Sequence, residues 1–162
     1  LYLSHHQFPC YPGTGNWKEV GQGDGAGTTI NCPLPSESGD AEILALWDVI
    51  FQPILEQYAP QILLVSAGYD AHQDDPLGTL NMTDSGFYQQ ALRIEELARK
   101  LKIPVVYALE GGYNPRVVAN GVESTLKAHV ASEPTIAPAP PSTRATELCA
   151  QARETFKSFW KF

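Results

Sequence analysis

Two apolar, β-rich runs, Gln61 to Tyr69 and Ile103 to Leu109, flank a segment of helical spacing from Thr83 to Leu101, an order that dictates a βαβ unit. Crossovers of that kind make the two strands parallel, so their C-terminal ends share one edge of the sheet. Open α/β folds place their ligands at that edge. The first run continues as Ser66-Ala67-Gly68-Tyr69-Asp70-Ala71-His72-Gln73-Asp74-Asp75-Pro76-Leu77-Gly78, and the second ends as Leu109-Glu110-Gly111-Gly112-Tyr113-Asn114. A carboxylate, Asp70, and a phenol, Tyr113, are therefore expected to face one crevice, a pairing that suits metal-assisted hydrolysis.

The rest of the chain fits around this unit. Leu1 to Ser4 reads as the end of a strand, Phe8 to Ala26 as a long loop rich in glycine, proline and polar residues, and Thr28 to Leu34 as another strand. The glycines of Gly21 to Gly27 are spaced like a dinucleotide fingerprint, but a phosphate-binding loop must open a helix, and here a strand follows. Asp40 is placed to cap a helix with Ile43, Leu46, Trp47, Ile50, Phe51 and Ile54 on one face, which Pro53 should kink or divide. The crossover helix buries Phe87, Ala91, Ile94, Leu97, Ala98 and Leu101, while Arg93, Glu96, Arg99 and Lys100 are expected mostly to face water. Asn114 and Pro115 start a further helix through Val118, Val122 and Leu126.

The proline-rich stretch 132–142 reads as a linker or extended arm, and 143–162 as a terminal amphipathic helix with Ala145, Leu148, Ala152, Phe156 and Phe159 at helical spacing. Residues 1–131 then form the domain, within a chain of 162 residues that is 43% hydrophobic. A formal charge of −7 argues against nonspecific binding to nucleic acid. No apolar run approaches the roughly 20 residues of a membrane span, so no membrane partner is expected. Cys10, Cys32 and Cys149 are far apart and form neither a metal pair nor a disulfide framework. That usage points to a reducing, cytoplasmic compartment, or to the nucleus in a eukaryote.

Each residue also has a bland reading. An aspartate ending a strand can merely satisfy turn amides, and a turn tyrosine can merely cover a sheet edge. Gly111 and Gly112 argue against the second reading, because they remove side chains where backbone turns sharply or approaches a ligand. Asp74, Asp75 and Pro76 have the composition of a turn, with Asp75 bonding backbone amides. His72, two residues beyond Asp70, is assigned to the loop rather than to a metal.

Both motifs resemble the histone deacetylase family of zinc amidohydrolases, from Leu1 to about Val130. The resemblance implies a three-layer α/β/α fold with a mostly parallel sheet, arginase/deacetylase-like, of which this chain is a C-terminal part. It implies that Asp70 is a zinc ligand and that Tyr113 hydrogen-bonds the substrate carbonyl as it becomes an oxyanion. Some relatives carry histidine in place of that tyrosine and lose most deacetylase activity; this chain keeps the tyrosine. Ser4 and His5 match the positions that hold a structural potassium ion in relatives, partly through backbone oxygen. Tyr11, Leu77, Gly111 and Gly112 match the walls of the acyl-lysine tunnel, whereas Cys10 stands where a second aromatic is often found, which widens the expected mouth.

Relatives complete the zinc site with a second aspartate and a histidine, and activate water with two adjacent histidines, all in a segment preceding the part matched here. His5 and His6 are adjacent but sit in the wrong context to be that pair. The chain starts at Leu1 without methionine and is read as the C-terminal portion of a longer domain, whose missing N-terminal half is a partner in the site. The implied activity is hydrolysis of an acetylated lysine side chain. Two alternatives stand beside it: a small acetyl-amine or acetylpolyamine as substrate, and a non-catalytic fragment or interaction module.

Overall fold

The computed structural model describes residues 1–132 and 134–162. Strand β1 (Tyr2–Gln7) pairs in parallel with β2 (Thr29–Leu34), from Tyr2 opposite Thr29 to Gln7 opposite Leu34. Strand β3 (Leu63–Ala67) pairs in parallel with β4 (Val105–Leu109), from Leu63 opposite Val105 to Ala67 opposite Leu109. The crossover helix α3 (Asp84–Leu101) joins β3 to β4, so the βαβ unit is present and the fold is α/β.

Helix α1 (Asp40–Leu46) runs into a π-helical turn, Trp47–Phe51, and then α2 (Gln52–Tyr58). The wide turn closes with Gln52 N donating to Trp47 O, one residue before Pro53, which has no N–H of its own to give. Pro53 thus divides the helix. Asp40 is not the cap of α1. Gly39 holds that position, its N–H donating to Glu42 Oε2 at 2.9 Å, and Asp40 instead accepts from Thr83 N and Thr83 Oγ1 at 2.9 and 2.7 Å. Thr83 in turn caps α3, accepting from Gly86 N.

The apolar stripe of α3 is buried from Phe87 to Ala98 and half-buried at Leu101, but Arg93 is buried too, contrary to the expectation that it faces water. Its partners explain this. Asp48 in the π-turn and the Ala137 carbonyl in the arm both lie far away in sequence and give the guanidinium acceptors inside the fold. Helix α4 (Pro115–Val130) starts at Asn114, whose side chain accepts from Arg116 N. It buries Val117 and half-buries Val118 and Val122, while Leu126 is exposed.

Helix α5 (Thr143–Phe156) docks on α1 and β2 through Ala145, Cys149, Ala152 and Phe156, all buried. Polar ties add to this packing, among them Ser142 Oγ donating to Glu42 Oε1 at 2.6 Å and Trp160 Nε1 donating to Gly27 O at 2.8 Å. The extended arm before it is fixed to α3, with Ala137 N donating to Gln89 Oε1 at 2.8 Å.

The core lies between β2, the 40–58 helical segment, α3 and α5, with Ile30, Leu34, Ile43, Leu46, Ile50, Ile54, Leu97 and Phe156 sealed from water. On β3 and β4 the side chains of Leu63, Val65, Val105 and Tyr107 turn toward this core. The opposite face of that pair is open, with Leu64 75% and Val106 49% exposed. Among the described residues no helix is long and apolar enough to cross a membrane.

Candidate active site

Because β3 and β4 are parallel and in register from Leu63 to Ala67, the loops that leave them emerge side by side. Hydrogen bonds stitch the two loops together. Glu110 N donates to Ala67 O at 3.1 Å and Tyr69 N to Gly111 O at 3.2 Å. Tyr113 N donates to Asp75 Oδ2 at 2.8 Å, and Asn114 Nδ2 to Asp74 O at 3.0 Å. Tyr69 anchors the first loop below, its ring buried edge-on against Phe87 at 5.2 Å and its hydroxyl 2.8 Å from Thr125 Oγ1.

The carboxylate of Asp70 rests directly on Gly111. A Cβ at residue 111 would lie 2.7 Å from Asp70 Oδ2, and one at residue 112 would lie 2.6 Å from Val118 Cγ2. Both glycines have positive φ, +91° and +115°, a region that disfavours any side chain. The two glycines therefore let the backbone pass between the acid and α4, and the next residue is Tyr113, whose side chain is 57% exposed.

Asp70 is half-buried, and burial raises its pKa; its own backbone N–H opposes the rise and the nearby charge of Asp75 adds to it. Among the described residues it has no cationic partner in an ion pair. A desolvated carboxylate without a cation is a fitting ligand for one. A catalytic zinc, however, needs three protein ligands. Among the described residues no three His, Cys, Asp or Glu side chains come together in a metal-holding group.

The remaining candidates are distributed as follows. Leu77 stands 71% exposed on the Asp70 loop, its N–H donating to Asp75 Oδ1 at 2.9 Å. His72 is buried in packing, stacked on Phe87, with Nδ1 accepting from Asp74 N at 3.0 Å and Nε2 3.5 Å from Asp84 Oδ1. Tyr11 is 99% exposed at the tip of the loop after β1, beside exposed Cys10, and is not drawn onto the stitched edge. Ser4 Oγ lies 2.9 Å from His6 Nδ1, and the His5 ring is held by Gln90 Nε2 at 2.7 Å and stacked on Phe51. Burial and the neighbouring His6 push the pKa of His5 down to about 4, against its own backbone bond.

Sequence reading missed Gln7, the last residue of β1. Its side chain donates to Thr79 Oγ1 and accepts from Thr79 N, both at 2.8 Å, which ties the end of β1 to the Asp70 loop. No local pattern signals such a pair, since the partners lie 72 residues apart.

Residues 1–129 match the family model described as histone deacetylase domain. Histone deacetylase 10, chloroplastic, from Oryza sativa subsp. japonica is 46% identical over 85% of this chain and 31% of its own length. Histone deacetylase 14, chloroplastic, from Arabidopsis thaliana is 42% identical over 79% of this chain and 30% of its own. A probable deacetylase of Archaeoglobus fulgidus is 40% identical over 70% and 32%. The chain thus spans about a third of the length of these curated relatives. The crystal structure of the HDA15 HD domain superposes with a TM-score of 0.83 at 28% identity, over 99% of this chain and 44% of that one. The fold of the histone deacetylase Clr3 is also shared, with a TM-score of 0.88 at 23% identity, over 99% of this chain and 28% of that one. Both superpositions run past the sequence match into α5.

Proposed function

The chain belongs to the histone deacetylase family, covering part of its domain, and on that footing we propose that the full-length protein is a zinc-dependent deacetylase of N-acetyl-lysine side chains. One observation carries this reading. The strand-end carboxylate Asp70 lies against Gly111, two residues before the exposed phenol of Tyr113, on loops hydrogen-bonded into one edge. Acid and phenol can then serve a single acyl group.

Asp70 would be one zinc ligand, the others coming from outside this chain. When bound, zinc supplies a Lewis acid and acidifies a water molecule. Tyr113 donates its hydroxyl proton in a hydrogen bond to the carbonyl oxygen of the substrate, and that bond strengthens as the oxygen gains negative charge. Gly111 and Gly112 are assigned to the tunnel wall as bare backbone pressed against Asp70 and α4, and Leu77 offers the aliphatic arm of lysine an apolar wall. Ser4 and His5 are assigned to a potassium ion. The side chains of both are engaged in the fold, Ser4 Oγ beside His6 Nδ1 and the His5 ring beside Gln90 Nε2, so the assignment rests partly on backbone oxygen.

The exposure of Tyr11 and Cys10 favours a second reading, in which a wider mouth admits a small acetyl-amine such as an acetylated diamine. With one metal donor, this chain by itself is read as inactive. A reducing compartment suits its cysteines; two relatives are chloroplastic by name, which sets a plastid beside the cytoplasm or nucleus as its location. The deciding experiment measures acetate released by the zinc-loaded full-length protein from acetyl-lysine peptides and from acetylated diamines. Faster release from peptides supports the first reading, faster release from diamines the second, and none from either rejects the enzyme.

A further inference from the structure

Asp75 touches both halves of the stitched edge. Its Oδ1 accepts from Leu77 N at 2.9 Å and Gly78 N at 3.3 Å, and its Oδ2 accepts from Tyr113 N at 2.8 Å. A turn-forming aspartate needs only the first two bonds. The third spans 38 residues and is made by a buried carboxylate, a group that stays in an interior only when its oxygens are satisfied.

We infer that Asp75 is a positioning residue for the deacetylation, fixing Tyr113 relative to Leu77 and the Asp70 loop; this rests on the deacetylase reading. The phenol has little else to hold it. Tyr113 is exposed and follows two glycines at positive φ, the most permissive backbone available, so its Cα is located by the bond on its own N–H, with Tyr69 N on Gly111 O before it and Asn114 Nδ2 on Asp74 O at the start of α4 after it. An oxyanion donor contributes only when it is already in place, and a shift of about 1 Å can lower turnover a hundredfold.

Asp75→Asn isolates the third bond. Its amide oxygen still accepts from Leu77 and Gly78, but its NH2 group meets the Tyr113 N–H and repels it. Asp75→Ser, which keeps a turn acceptor and cannot reach Tyr113, serves if Asp75→Asn fails to fold. In the zinc-loaded full-length protein we expect kcat on an acetyl-lysine peptide to fall about tenfold or more with KM within about twofold. The Tyr113 amide should exchange hydrogen about tenfold faster, with the Leu77 amide unchanged. Combined with Tyr113→Phe, the loss should not multiply, because both changes act through one hydroxyl. Unchanged kcat, or a double variant whose losses multiply, overturns the inference. If the unsubstituted protein releases no acetate, the deacetylase reading fails separately, and exchange at Tyr113 still decides whether Asp75 holds that loop.

Discussion

Arg93 forks onto Asp48: its Nε and Nη2 meet the two carboxylate oxygens at 2.7 and 3.0 Å, while Nη2 also donates to the Ala137 carbonyl at 2.8 Å. One guanidinium thereby joins the crossover helix, the π-turn and the proline-rich arm. Removing one partner of a fully buried pair costs several kcal/mol, but the Asp48 side chain is 37% exposed and can rehydrate, which reduces the loss.

Arg93→Met should therefore lower stability by about 2 kcal/mol, a fall in Tm of roughly 4 to 8 °C for a domain of this size. Calorimetry reads the shift directly. An unchanged midpoint would show that the fork contributes nothing.

His5 gives the fold a pH dependence of known sign. Its folded pKa is depressed to about 4 from an ordinary 6.5, so the unfolded chain binds the extra proton between these values. Stability is complete above pH 6.5 and declines as pH falls toward 4, by up to roughly 3 kcal/mol. Urea unfolding between pH 7 and pH 4 should show this slope, and His5→Gln should flatten it.

Asp70, the proposed zinc ligand, gives the metal-free fold a pH dependence of the opposite sign to that of His5. Because burial raises its pKa, the ionised form is disfavoured in the metal-free fold; stability falls as pH rises from the ordinary value through the raised one and stays lower above it. Asp70→Asn should raise the neutral-pH Tm of the metal-free full-length protein while weakening zinc binding. Calorimetry paired with zinc titration tests both halves, and a lowered metal-free Tm would contradict the first.

Gly111→Ala places a methyl group 2.7 Å from Asp70 Oδ2 at a φ of +91°. Something must move, and the carboxylate is the softer neighbour. Zinc affinity should drop about tenfold or more, as it does when ligand orientation is disturbed. Isothermal titration of the full-length protein measures it.

Tyr113→Phe removes the phenolic donor and leaves the ring. Turnover should fall by about a hundredfold with KM little changed, since the bond acts chiefly in the transition state. Steady-state kinetics on an acetyl-lysine peptide separates the two constants.

Periodicity made the βαβ unit legible, along with the start of α3 near Thr83, the cap at Asn114 and the apolar stripe of α3, because each is a local pattern of spacing and capping chemistry. Asp70 and the two glycines before Tyr113 were legible for the same reason, lying at strand ends. What escaped was polar and long-range. Arg93 looks like a solvent charge until Asp48 and Ala137 are folded against it, and Asp40 looks like a cap until Thr83 takes both its oxygens. Asp75 bonds the amides of its own turn as its sequence context implies, but its bond to Tyr113, like the Gln7–Thr79 pair, shows only in three dimensions.

The bare flank carrying Leu64 and Val106 is expected to govern how this polypeptide behaves in a test tube. Parallel strands are ordinarily sheathed on both sides, and a greasy ribbon left in water invites copies of the chain to stick to one another. Lysine at either position would keep it dispersed at higher concentration, and a sheath that shields the flank would make the lysines unnecessary.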